Sequence, residues 1–152
     1  MRVLVFAHGA LLRRGCSTAV PVSVPGRAGG AERGIVFMRH EYEAERRRLE
    51  AEIEVARASG ILGADVCGSG RAFDVEVFVS PGGYILGEET ALLECLEDRR
   101  GEPRNKPPFP GQSGLQGEPT LINNVETLAH AAAILARGRS SGAAGARPMA
   151  AP

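Results

Sequence analysis

The sequence predicts an α/β fold, and three observations predict it. A short apolar run, "GIVFMRH" (34–40), is followed by a stretch of strong helix formers, "EYEAERRRLEAEIEVARASG" (41–60). A second strand-like run, "FDVEVFVS" (73–80), alternates Val75, Val77 and Val79 on one side. It ends in the glycine turn "GGYILGEET" (82–90), which leads into another helix-forming stretch. Strand, helix, strand, glycine turn, helix is an α/β order. In such sheets ligands bind beyond the carboxyl ends of the strands, where glycines let a main chain come close. The glycine turn occupies that position.

The elements follow in order. Residues 1–32 read as an unmatched, flexible lead-in, and "STAVPVSVPGRAGGAERG" (17–34) is rich in Pro, Gly and Ala as linkers are. The first helix places Tyr42, Leu49, Ile53 and Ala56 on one stripe, with Gly60 where a glycine ends a helix. Its Glu and Arg residues form a solvated face. The second helix, "ETALLECLED" (89–98), opens on acid, which suits the positive end of the helix dipole. Residues 99–121 hold five prolines and no helical or strand period. A loop of that length is functional or disordered. The last helix is expected over 123–138, with Asn123 as N-cap, Glu126 completing a capping box and Gly138 closing the end. Residues 139–152 read as a disordered tail, leaving 33–138 as the folded unit.

Composition narrows the function classes. The formal net charge is zero, so nothing argues for nucleic acid. All 18 acidic residues lie between Glu32 and Glu126, and residues 33–138 carry 12 basic and 17 acidic side chains, a net of −5. Lysine occurs once, at Lys106, beside 17 arginines, a composition bias without functional content. Cys16, Cys67 and Cys95 form no CxxC and read as structural thiols of a reducing compartment rather than metal ligands. His8, His40 and His130 are scattered and make no ligand set. No apolar run approaches the roughly 20 residues that span a bilayer, so no membrane insertion is expected. The opening "MRVLVFAHGALLRRGC" lacks the small residues of a cleavage site, and no targeting segment is assigned.

The glycine turn supplies parts for a flat ligand. Gly82, Gly83 and Gly87 present no Cβ, and Tyr84 offers a ring or a hydroxyl. Of the neighbouring Glu88 and Glu89, one can cap the helix while the other faces a ligand. A carboxylate accepts well from a carboxamide N–H₂ or a ribose hydroxyl. The start of a helix at Asn123-Asn124 suits an anion. Lys106 and Phe109, in "KPPFP", add a cation and a stackable ring. Together these are parts for a nucleotide with a planar base.

The run "PGGYILGEETALLECLEDRRGEPRNKPPFPGQSGLQGEPTLINNVETLAHAAAIL" resembles the FMN- and NADH-binding subunit of NADH:quinone oxidoreductase, complex I. It is similar as well to the diaphorase subunits of NAD-reducing hydrogenases and NAD-dependent formate dehydrogenases. The resemblance covers about two-thirds of the chain, from "RGIVFMRHEY" to near Gly138. It implies a partial Rossmann-like FMN-binding domain in which NADH stacks on FMN for hydride transfer. By position, Tyr84, Gly87 and Glu88 would line the flavin, and Glu89 would hold the nicotinamide carboxamide, the catalytic pose. Asn123, Asn124 and Thr127 would bind FMN from the start of the last helix. Lys106 and Phe109 would hold the adenosine half of NADH. The partners implied are other subunits of an NADH dehydrogenase complex, and the place implied is the cytoplasm, peripheral to the inner membrane.

Four features expected from the resemblance find no counterpart in this sequence: the GRGGAGF-like phosphate loop, the Asn-x-Asp-Glu flavin loop, the cysteine motif that holds a [4Fe–4S] cluster and the ubiquitin-like domain before that motif. "GRAGG" at 26–30 is a faint echo of the first. Two expectations therefore stand side by side. One is an NADH dehydrogenase segment that binds FMN and NADH; the other is a truncated, catalytically inactive fragment with at most weak nucleotide binding. A third resemblance, to the related subunit of electron-transporting ferredoxin:NAD oxidoreductases, fits the "RGEPRNKPPFP" and "NNVETL" runs less well.

Overall fold

A computed structural model of the chain describes residues 3–7, 30–125, 127, 128 and 134. Among them, β1 (Val3–Ala7), β2 (Arg33–Arg39), β3 (Asp74–Ser80) and β4 (Thr120–Asn124) form one sheet. Its order is β3-β2-β1-β4 and every pairing is parallel. The chain builds outward from β1 through β2 to β3, then returns to the other side of β1 as β4. Register sets Phe78, Phe37, Ala7 and Asn124 in one row across the sheet. The carboxyl ends of all four strands thus share one edge.

β2 is apolar without a break because both faces of the sheet are covered. Val36 and Met38 point to one side and meet Val75, Val77 and α1 (Glu43–Ala58). Helix α1 supplies Leu49, Ile53 and Ala56, spaced so that one stripe is buried and the rest stays charged. Ile35 and Phe37 point to the other side and meet α2 (Glu89–Leu96), whose Ala91, Leu92 and Leu93 are fully buried. On that face the Phe37 and Phe78 rings stack with centroids 5.4 Å apart and planes 14° from parallel. Gly60 ends α1 with φ of +70°, as a left-handed terminator should. Arg57 in the last turn of α1 then bonds both oxygens of Asp74 and the Val75 carbonyl, fixing helix to strand.

The structure differs from the sequence reading in three places. Residues 1–32, read as a lead-in, contain β1, an inner strand whose neighbours β2 and β4 come from distant parts of the chain. A five-residue apolar run carries no local mark of such pairing. Asn123 is not an N-cap: Asn123 and Asn124 finish β4, and the helical residues described begin at Val125. Val79 is exposed, while its neighbour Phe78 is half-buried, because β3 is an edge strand and Val79 stands near its carboxyl end. The expectations for Cys16, His8, His130, Glu126, Gly138 and the tail at 139–152 fall outside the described residues.

The two-sided core gives a stability prediction. Leu92→Ala, at 0% exposure, is expected to destabilise the chain by about 2–5 kcal/mol. Val55→Ala, on α1 at 65% exposure, is expected to stay within about 0.5 kcal/mol. Urea unfolding of both variants checks the pair, and equal costs would contradict the assignment of the α2 face to the core.

Candidate functional site

At the carboxyl edge of β2 and β3 the structure holds a cleft of about 400 Å³ lined by Phe37, Arg39, Ser80 and residues Gly83 to Glu88. Its shape follows from the turn after β3. Gly82 and Gly83 take φ of +107° and +114°, values that a side chain would strain. A Cβ on Gly82 would also press on the His40 ring, 3.0 Å away. The buried Ser80 accepts a hydrogen bond from the Gly82 amide through Oγ, and a 3₁₀ turn over Tyr84–Gly87 follows. That turn drives Leu86 into the core and leaves Tyr84 fully exposed at the cleft, its relative exposure 100%.

The two adjacent glutamates divide their work. Glu88 is the N-cap of α2: one carboxylate oxygen accepts from the amides of Thr90 and Ala91 at 2.8 Å and from the Thr90 hydroxyl. Glu89, the first helical residue, turns outward and forms an ion pair with Lys106. The Lys106 ammonium is also 3.6 Å from the second oxygen of Glu88. Burial pushes the Glu88 carboxyl up, but the hydrogen bonds from Thr90 and Ala91 and the nearby Lys106 charge outweigh it and hold it below the usual range.

The proline-rich passage is an ordered loop, and one arginine orders it. The Arg104 guanidinium bonds Glu94, Glu97 at 2.9 Å and the Gly114 carbonyl at 2.9 Å. Its backbone amide donates to the Thr90 hydroxyl at 2.9 Å. Glu97 also accepts from the Gln116 amide. Further on, the Thr120 amide donates to the Pro110 carbonyl, and the Thr120 hydroxyl accepts from the Leu115 amide. Gly114 fits only because it has no side chain; a methyl there would overlap Thr120. Lys106 and Phe109 ride on this loop, flanking prolines of which Pro107 and Pro108 follow cis bonds. The Phe109 ring is 56% exposed.

Tyr84, Gly87 and Glu88 therefore meet in the cleft, and Glu89 and Lys106 meet beside it. Phe109 lies three residues beyond Lys106 with its ring open to solvent. Asn123 and Asn124 lie at the end of β4, on the same edge but three strand spacings from β3, roughly 14 Å away. Thr127 is helical and exposed, and none of these three lines the cleft. Sequence reasoning missed Arg39 and Ser80 in the cleft wall and Arg104 behind the loop. Glu94 and Glu97, three apart at the end of α2, were the available signal for Arg104, since they present two carboxylates to one cation. Among the described residues no cluster of His, Cys, Asp or Glu is placed to hold a metal ion.

Comparison with known proteins gives one consistent answer. The family described as Nuo51 FMN-binding domain matches residues 21–133, which takes in part of the stretch read as unmatched. An NADP-reducing hydrogenase subunit (HndC) of Solidesulfovibrio fructosivorans is 46% identical over 122 residues, 80% of this chain and 25% of that protein. An NADH-quinone oxidoreductase subunit of Escherichia coli (strain K12) is 49% identical over 108 residues, 71% of this chain and 24% of that protein. Among solved structures, an NAD+-reducing [NiFe]-hydrogenase in the H2-reduced state superposes with a TM-score of 0.80 at 34% identity, covering 91% of this chain and 25% of that one. The chain thus spans about a quarter of the length of these relatives.

The ion pairs behind the loop make stability depend on acid. Burial raises the Glu97 carboxyl, but the hydrogen bonds from Arg104 and the Gln116 amide, with the Arg104 and Arg99 charges, bring it below its ordinary value of 4.5. Glu88 is lowered as well. The folded state then binds fewer protons than the unfolded chain below 4.5, so this stabilisation is complete above 4.5 and is lost as pH falls through the folded-state values. Urea midpoints are expected to drop as pH falls below 4.5, and Arg104→Met is expected to flatten that slope. An unchanged slope in Arg104→Met would contradict the assignment.

Proposed function

This chain belongs to the Nuo51 FMN-binding domain family, and on that premise we propose that its cleft takes FMN and that NADH is held against it for hydride transfer. The observation that carries the proposal is the Tyr84 ring, wholly exposed at the mouth of a glycine-turned cleft, with an outward carboxylate and a cation beside it. Ligand clefts are lined mainly by apolar and aromatic side chains with a few placed polar groups, and an open tyrosine ring offers a face on which a flat ligand can stack. The strand order, which reverses at β1, supports reading the sheet as a partial Rossmann-like domain with its ligands at the carboxyl edge.

The residues present fit that group. Gly83 and Gly87 would let the flavin plane approach the main chain, Tyr84 would cover it, and Glu88 would hold the turn rigid through its cap to α2. Asn123, Asn124 and Thr127, at the end of β4 and in the helix after it, would hold the more distant part of FMN. Bound FMN would supply the acceptor for a hydride. Glu89 would accept a hydrogen bond from the nicotinamide carboxamide and so orient the ring, while Lys106 and Phe109 would hold the adenosine half by charge and by stacking. With nicotinamide and flavin both bound, the planar groups would exclude water from the face between them.

Partners and place follow from the same reading. The relatives are named as subunits of NADH-quinone oxidoreductase and of a hydrogenase, so this chain is proposed to work with other subunits of an NADH dehydrogenase complex. The place proposed with those partners is the cytoplasm, peripheral to the inner membrane. No helix among the described residues is long and apolar enough to cross a membrane.

Titration of the chain with FMN, followed by quenching of flavin fluorescence, tests the proposal. Saturable quenching is expected, and Tyr84→Ala is expected to weaken it about tenfold, the loss of one stacked ring. NADH added to the FMN-loaded chain is expected to bleach the flavin absorbance. No quenching at any accessible concentration would overturn the reading and leave an inactive fragment of the family.

A further inference from the structure

Lys106 and Glu89 are two groups that the proposed function assigns to opposite halves of one substrate, yet here they bind each other. Glu88 cannot share this contact equally. Its capping oxygen is committed to Thr90 and Ala91, and its other oxygen stands 3.6 Å from the ammonium. Glu89 starts the helix with its side chain turned outward, so it is the carboxylate able to let go. Both side chains reach solvent, which keeps the cost of separating them small.

We propose that the Lys106–Glu89 pair is an internal placeholder for a dinucleotide, so that the site favours ligands carrying an amide donor and an anionic diphosphate together. The inference rests on the nucleotide reading of the site. The ammonium occupies the acceptor that a carboxamide would use, and the carboxylate occupies the cation that an anion would use. A ligand that brings one group alone opens the pair and strands the other charge. A ligand that brings both replaces each contact with a new one. Selection of whole dinucleotides over their halves is then built into the site itself. The Lys106 ammonium is held above its ordinary value, first by its bond to Glu89 and against the effect of burial.

The test is calorimetric titration of the full chain with ADP-ribose, which carries the diphosphate without the amide, and with the reduced, uncharged form of nicotinamide riboside, which carries the amide without phosphate. Glu89→Gln is expected to tighten ADP-ribose about two- to fivefold, the strength of an exposed ion pair, and Lys106→Met to tighten nicotinamide riboside by a similar factor. In the Lys106→Met background Glu89→Gln is expected to leave ADP-ribose unchanged, which separates release of the pair from simple charge repulsion. Circular dichroism establishes that each variant is folded, and the nicotinamide riboside arm decides the matter if Glu89→Gln is not. An ADP-ribose affinity unaltered or lowered by Glu89→Gln would overturn the placeholder while leaving the nucleotide site standing. Absence of binding by either probe to every form would overturn the site reading and the placeholder with it.

Discussion

The site depends on a short chain of hydrogen bonds centred on the Thr90 hydroxyl. That hydroxyl donates to Glu88 and accepts from the Arg104 amide, so one buried oxygen joins the glycine turn, the start of α2 and the proline-rich loop. A buried hydroxyl left without partners costs about 1–3 kcal/mol, so the three segments have reason to stay together. Arg104 extends the link by clasping Glu94, Glu97 and the Gly114 carbonyl. Through these contacts the loop that carries Lys106 is held against the turn that carries Tyr84.

The sheet supplies the platform for that arrangement. Parallel pairing puts every strand's carboxyl end on one edge, and apolar clusters cover both faces of the sheet. The turn after β3 and the end of β4 are then fixed in relation to each other without touching. A ligand long enough to reach from Tyr84 to Asn124 would be read by two elements separated by the width of the sheet. Membership in the FMN-binding family gives this geometry its chemical meaning.

Elements with a local signature were legible in the sequence. α1 declared itself by the spacing of Leu49, Ile53 and Ala56 and by Gly60, and β2 by an apolar run with no polar break. That one of Glu88 and Glu89 caps the helix was legible too, because a helix start needs an acceptor for its free amides, but only the structure shows that it is Glu88. β1 and β4 were not, since each is only five residues long and its partners are far away in the chain. Asn123-Asn124 gave a cap-like pattern one residue early: the strand continues through Asn124 before the helix begins. Arg104 was hidden for another reason. Its acceptors are two carboxylates and a main-chain carbonyl that come together only after the loop has folded back on α2.

Amide hydrogen exchange in Thr90→Val tests most directly whether this hydroxyl couples the loop to the turn. The Arg104 amide loses its acceptor in that variant, so its exchange is expected to accelerate about tenfold or more, the equivalent of one hydrogen bond. The amides of Leu62 and Phe73, which bond elsewhere, are expected to keep their rates. An Arg104 amide that exchanges as slowly in Thr90→Val as in the unaltered chain would contradict the coupling and leave the loop held by its other hydrogen bonds and salt bridges.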